Sequence, residues 1–149
     1  ISNHLIEIGG EMYDSGINII TNSRWKVGIS DPLKPENTKQ KIFLKNKALA
    51  SSGNYRKFLI DPQTGVRIVH TINPNNGSAN QTNVLATSVI ANNCMTADAY
   101  ATAFMAMPLD KSISLINENK SLDGMIVYSD SNNKIQTYYS SGFKKLIFD

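Results

Sequence analysis

Asp98 and Thr102 stand four residues apart in an alanine-rich segment. On an α-helix, that spacing sets both side-chain oxygens on one face. A carboxylate and a hydroxyl are hard oxygen donors. They suit Mg²⁺, which takes few protein ligands and fills its shell with water and substrate phosphates. The other reading is a surface Asp beside a Thr that bonds back to the preceding turn. Asp98 lies among Ala97, Ala99, Ala101 and Ala103. A helix so rich in small residues packs closely on something, and an acid there is expected to be paired, liganded or turned to a cleft.

His70 closes an apolar run just ahead of an Asn-rich loop. Its imidazole either ends a strand with both nitrogens satisfied, or contacts a ring or phosphate and shuttles a proton near neutral pH. Gly9-Gly10-Glu11 follows a strand-like run. The glycines make a tight hairpin turn or let the backbone approach a ligand closely. Ser51-Ser52-Gly53 is a weaker version of the same signal. There are only two histidines, His4 and His70, so a three-histidine metal site is excluded. Cys94 is the single cysteine, which excludes an internal disulfide and a cysteine-built zinc site. A buried thiol is expected there. No Walker loop, Gly-x-Ser-x-Gly elbow or His-Glu-x-x-His motif occurs.

The elements that must place these residues read as strands first and helices second. His4–Ile8, Trp25–Ser30, Lys41–Leu44 and Lys47–Ser51 are short strand-like runs bounded by polar turns. Tyr55–Ile60 and Val66–Thr71 flank Asp61-Pro62-Gln63-Thr64-Gly65 and read as a hairpin. Residues 73–83 must be loop, because Pro and Gly punctuate a run of Asn that bonds its own backbone. Val84–Ala91 is an apolar, β-branched run and reads as a buried strand. Residues 94–107 are helix formers, and Pro108 starts a second helix, Leu109–Glu118. Met125–Ser129 and Lys134–Tyr139 make a final hairpin. Strands, then a helical pair, then strands indicate an α+β fold: a largely antiparallel sheet with two consecutive helices packed on it.

The chain has 149 residues, which is enough for one domain, 1–149, and not two. Hydrophobic residues are 41% and charged residues 18%, a globular composition rather than a disordered one. No apolar run approaches the roughly 20 residues of a membrane span. The first residues lack a basic segment followed by an apolar core, so no signal peptide is read here. Net charge is +3, and about half of the basic charge falls in Lys34, Lys39, Lys41, Lys45, Lys47, Arg56 and Lys57. Such a stretch is either a solvated face or a site for an anionic partner. No interleaved aromatics of the RNA-binding kind accompany it, so nucleic acid is not expected as a partner.

Several motifs in order resemble the C-terminal half of the ApbE family. They are Gly9-Gly10-Glu11, Trp25-Lys26-Val27-Gly28-Ile29 with Asp31-Pro32, and Ser51-Ser52-Gly53-Asn54-Tyr55-Arg56. His70-Thr71-Ile72-Asn73-Pro74-Asn75-Asn76-Gly77 and Thr96-Ala97-Asp98-Ala99-Tyr100-Ala101-Thr102 complete the series. Each is moderately specific, and together they cover nearly the whole chain. These flavin transferases were once called thiamine biosynthesis lipoproteins.

The resemblance implies an ApbE-like, T-fold-like domain that binds FAD with Mg²⁺. It implies transfer of FMN through a phosphoester bond to a Thr or Ser hydroxyl of an acceptor protein, with release of AMP. Some members hydrolyse FAD instead. It implies Asp98 and Thr102 as metal ligands, and His70 with Thr71 against the flavin nucleotide. His70 would be the candidate base, and Gly9, Gly10 and Glu11 would help wall the pocket. It also implies a lipid anchor outside this chain, on the periplasmic side of the bacterial envelope.

Three departures stand out. The family motif usually reads Asp-Pro-x-Thr-Gly, and this chain has Asn73 and Asn76 at the Asp and Thr positions. That removes a carboxylate and a hydroxyl expected to organise the loop or the site. Ser78-Ala79-Asn80 is polar where the family is usually apolar. The N-terminal half of the family, which would supply much of the adenine pocket, is missing from the sequence. A non-catalytic flavin- or partner-binding relative and an FAD pyrophosphatase are the rival readings.

Overall fold

A computed structural model describes residues 1–54, 58–60, 62–63, 67–69, 71–75, 77, 79 and 82–148. In chain order the strands before the helices are β1 (His4–Ile8), β2 (Glu11–Ser15), β3 (Trp25–Ser30), β4 (Thr38–Leu44), β5 (Ala48–Gly53), β6 (Phe58–Ile60), β7 (Arg67–Val69) and β8 (Val84–Ala91). Helices α1 (Cys94–Ala106) and α2 (Leu109–Glu118) follow, then β9 (Asp123–Ser129), β10 (Ile135–Tyr139) and the short α3 (Ser141–Lys144).

Six strands form one sheet in the order β1-β2-β5-β8-β9-β10, and every neighbouring pair is antiparallel. Side chains alternate between the two faces of a strand, so each central strand feeds two cores. Ala48, Ala50, Val89, Ala91 and Ile126 meet Ala97, Ala101, Phe104 and Met105 of α1 and Ile116 of α2 on one face. Leu49, Ile90, Met125 and Val127 meet Val27 and Ile29 of β3, Ile42 and Leu44 of β4, and Phe143 of α3 on the other. The sheet is therefore the middle of three layers. β8 is buried on both faces, which explains its largely apolar sequence, broken only by the buried hydroxyls of Thr87 and Ser88, in an antiparallel setting. The alanines of α1 are flat enough to let the helix lie close over β5 and β8.

The α+β fold with two consecutive helices on an antiparallel sheet is the one expected. Of the 55–71 hairpin, the described parts, β6 and β7, pair antiparallel. Two elements were not read from sequence, β2 and α3. β2 carries Asp14, fully buried, whose carboxylate accepts from the backbone N–H groups of Asn46 at 2.9 Å and Lys47 at 3.0 Å. This ties β2 to the turn between β4 and β5.

The β1–β2 turn holds two residues, because Ile8 pairs with Glu11. Gly9 and Gly10 both have positive φ, 70° and 111°. That is the I′ hairpin signature, which matches the twist of the flanking strands. A Cβ on Gly10 would meet nothing within 4 Å. Gly10→Ala is therefore expected to cost only the conformational penalty, about 1–2 kcal/mol. Urea denaturation reads it as a lower midpoint with an unchanged slope.

Candidate functional site

β2 keeps register with β5 only at Met12↔Leu49 and Tyr13↔Ala48. β5 stays paired with β8 on its other side as far as Gly53↔Ala86. The sheet therefore parts between the β1–β2 turn and the C-terminal half of β5. A cavity of about 370 Å³ opens there, on the β3 side of the sheet. Its described lining comes from Glu7 of β1, Gly9 and Gly10, residues 28–30 of β3, residues 51–53 of β5, residues 86–88 of β8, and the apolar side chains of Met12, Leu49 and Met125. The volume lies within the usual range of small-molecule sites. Gly9 and Gly10 are thus both a tight turn and a cavity wall.

The helix side of the parting carries the acid. Helical spacing sets Cys94, Asp98 and Thr102 in one row along α1. At one end, the Cys94 thiol donates to the carbonyl of Met12 at 3.5 Å, and the Glu11 carboxylate is close enough to oppose its ionisation. At the other end, the hydroxyls of Thr102 and Ser52 are 3.2 Å apart. The row begins beside the start of β2 and ends beside the end of β5. Those are the two borders of the parting, and Asp98 stands between them.

Asp98 is exposed, and among the described residues its carboxylate has no hydrogen-bond or ion-pair partner. Of the three expectations for an acid among alanines, pairing is excluded among the described residues; Asp98 is open to solvent and is not one of the residues that line the cavity. Thr102 bonds outward to Ser52 rather than back to the preceding turn. The contrast is Ser112 of α2, whose hydroxyl does bond back to the carbonyl of Pro108 at 3.2 Å. Among the described residues no three His, Cys, Asp or Glu side chains gather as a metal centre. The oxygen donors on this row are one carboxylate and the hydroxyls of Thr102 and Ser52.

Glu11 turns back over the hairpin, since a Cβ at Gly9 would sit 3.1 Å from its Oε2. Thr71 is buried. His70 lies outside the described residues. The loop after it answers one of the departures. The side chain of Asn73 accepts from the N–H of Asn75 at 2.9 Å, and its carbonyl accepts from the N–H of Gly77 at 2.9 Å. An amide oxygen makes this Asx turn as a carboxylate does, so the loop keeps its organiser. Asn76 lies outside the described residues. In the basic stretch, Lys34, Lys41 and Lys45 are exposed, and Lys47 donates to Asn92 at 2.6 Å.

Cys94 is half-buried rather than buried. Burial, and secondly Glu11, push its pKa above the ordinary thiol value. The thiolate is the reactive form, so alkylation at pH 8 is expected to be slower than that of a free thiol. Glu11→Gln removes the second cause and is expected to shift the rate–pH profile to lower pH. Iodoacetamide labelling followed by mass spectrometry across pH reads both.

The fold is shared with solved flavin transferases. The flavin transferase ApbE from Vibrio cholerae superposes with TM-score 0.81 at 29% identity, over 97% of this chain and 44% of that one. The ApbE protein of Thermotoga maritima gives TM-score 0.78 at 27% identity, over 99% and 45%. In sequence, the FAD:protein FMN transferases of Vibrio cholerae and Haemophilus influenzae are each 34% identical, over 99% and 97% of this chain. The chain covers 43% and 41% of those relatives, less than half their length. The model of the ApbE family matches residues 1–126, and the chain belongs to that family.

Proposed function

We propose that the chain forms part of the site of a Mg²⁺-dependent FAD:protein FMN transferase. Such an enzyme moves FMN from FAD to a Thr or Ser hydroxyl of an acceptor protein and releases AMP. One arrangement carries the reading. An exposed, unpartnered Asp98 stands one helical turn from Thr102, opposite the parted edge where the cavity opens. The names of the relatives support it.

The donor set fits a hard cation. Asp98 and Thr102 would hold Mg²⁺ with room left for water and phosphate oxygens, the few-ligand pattern this ion prefers. Bound there, it would neutralise charge that builds on the diphosphate as the phosphoryl group transfers. The chain's own residues supply position. The Gly9–Gly10 turn and β3 would wall the nucleotide, with Met12, Leu49 and Met125 beside it. Ser52 fixes the rotamer of Thr102 through their hydroxyl contact. His70 and Thr71 are proposed to lie against the nucleotide, with His70 taking the proton of the acceptor hydroxyl. A lipid-anchored, periplasmic setting is proposed from the family resemblance. Among the described residues no helix is long and apolar enough to cross a membrane.

The test incubates the full-length protein with FAD, Mg²⁺ and an acceptor domain bearing a Thr or Ser flavinylation site. In-gel flavin fluorescence on the acceptor is the expected result. FMN and AMP released without labelling would assign the site to FAD hydrolysis. Neither outcome, with FAD still bound, would leave a flavin-binding module.

A further inference from the structure

We propose that the outward face of β3 and β4 is where an acidic surface of the acceptor protein docks. The inward face of this hairpin is occupied: Val27, Ile29, Ile42 and Leu44 are buried against the sheet. Strand alternation turns Lys26, Gly28, Lys41 and Phe43 to the other side, away from the core. The C-terminal segment widens the face. Ile147 bridges to Ile42, the N–H of Phe43 donates to the carbonyl of Leu146 at 2.8 Å, and the N–H of Phe148 donates to the carbonyl of Lys41 at 3.2 Å. β4 is therefore held along both edges, and the face is built on three paired segments.

Its chemistry is cationic around an aromatic centre. The rings of Phe43 and Phe148 lie 4.2 Å apart, and Lys26 Nζ stands 5.7 Å and 5.4 Å from their centroids. These cation–π contacts hold the ammonium on the surface of the rings. Lys41 is exposed on the neighbouring register pair, and Lys45 and Lys145, both exposed, follow at the Phe43 end. Among the described residues these four lysines have no ion-pair partner. β3, residues 37–60 and residues 131–148 contain no Asp or Glu, so the segments that build the face carry nothing to neutralise it.

Two observations select a protein rather than a lipid surface. Phe43 and Phe148 are half-buried and lie within the face, whereas a helix or loop that seats in a bilayer buries its apolar side chains in the acyl boundary. An aromatic centre with a charged rim is the anatomy of a protein interface, and the rim charges steer the encounter. The face also adjoins the site, because Gly28, Ile29 and Ser30 of the same strand line the cavity. This inference rests on the transferase reading, in which a protein is the second substrate.

The test uses the full-length protein with FAD, Mg²⁺ and two acceptor domains that share one flavinylation segment. One has an acidic surface, and the other has its surface Asp and Glu changed to Asn and Gln. The Lys41→Glu, Lys145→Glu double variant is expected to raise KM for the acidic acceptor about 10-fold while kcat and the KM for FAD hold. The gap should shrink between about 50 and about 300 mM NaCl. The Lys41→Gln, Lys145→Gln variant should fall in between. Both lysines are exposed, so the melting temperature should not move. An unchanged acceptor KM overturns the proposal and leaves the transferase reading standing, and so does an equal KM for the two acceptors in the wild-type protein. A variant that melts early and loses kcat makes the lysines structural and overturns it too. Phosphatidylglycerol–phosphatidylcholine vesicles bound by the wild-type protein and not by the variant, with acceptor KM unchanged, assign the face to a membrane instead. Absence of transfer by the wild-type protein removes the transferase reading, and biolayer interferometry with the two acceptors then decides the face. Binding of the acidic acceptor alone, lost in the double variant, supports the docking face, and binding of neither overturns it.

Discussion

Asp98→Asn is expected to cut Mg²⁺-dependent FMN transfer about 100-fold or more while leaving the fold unchanged. The substitution keeps the shape of the side chain and removes its charge. An amide is a poor ligand for Mg²⁺, and electrostatic stabilisation of the transferring group is the largest contribution expected of such a site. The folded state loses little. Asp98 is exposed, has no described partner, and sits on a helix whose packing face is Ala97, Ala101, Phe104 and Met105. Surface changes of that kind stay within about 0.5 kcal/mol. Initial rates at several Mg²⁺ concentrations, with a thermal melt of the same sample, separate the two effects. Thr102→Val is expected to act in the same direction and more weakly, since it removes a neutral donor and the partner of Ser52. An Asp98→Asn protein that melts early yet keeps its metal response would make Asp98 structural and end this assignment.

Local features were legible in the sequence, and features set by distant contacts were not. The Asp98–Thr102 row is a matter of helical spacing, which a single segment reveals. Pro108 and the apolar run of β8 mark their elements just as locally. Ser52 as the partner of Thr102 could not be read, because the contact joins residues fifty apart in the chain. The same holds for the cavity. Ser51 and Ser52 look alike in the sequence, yet one faces β3 and the other α1. Only the register of β5 against β8 decides which. β2 escaped notice because Glu11-Met12-Tyr13-Asp14-Ser15 lacks apolar alternation. Its most buried member is a carboxylate held by backbone donors from another turn. α3, at four residues, is too short to show a period. The Asn73 departure weakened the resemblance on paper, yet the amide oxygen performs the turn there.

Asp14→Ala is expected to be the most destabilising single change discussed here, about 3 kcal/mol, or roughly a 10 °C fall in melting temperature. The carboxylate is fully buried and accepts from two backbone donors, those of Asn46 and Lys47. Truncation takes the acceptor from two part-buried N–H groups, at up to about 1–3 kcal/mol each. A domain of this kind has about 5–15 kcal/mol in total, so the loss is a large share. Asp14→Asn keeps one acceptor oxygen and turns an NH₂ group toward the other donor, so an intermediate loss is expected. Local context sharpens the effect. Asn46 holds a positive φ of 54°, and its side chain accepts from the N–H of Gly16 at 2.8 Å. The β4–β5 turn is therefore tied to β2 through Asp14 and through Asn46. β2 meets β5 at only two register pairs, and this tie holds the border of the parting against which the α1 row is set. Urea denaturation of Asp14→Ala, Asp14→Asn and Asp98→Asn in parallel gives the comparison. The two Asp14 variants should shift the midpoint in that order while Asp98→Asn does not. Well below its melting point, Asp14→Ala should lose transfer only in proportion to its unfolded fraction, which distinguishes a buried brace from a ligand at the site.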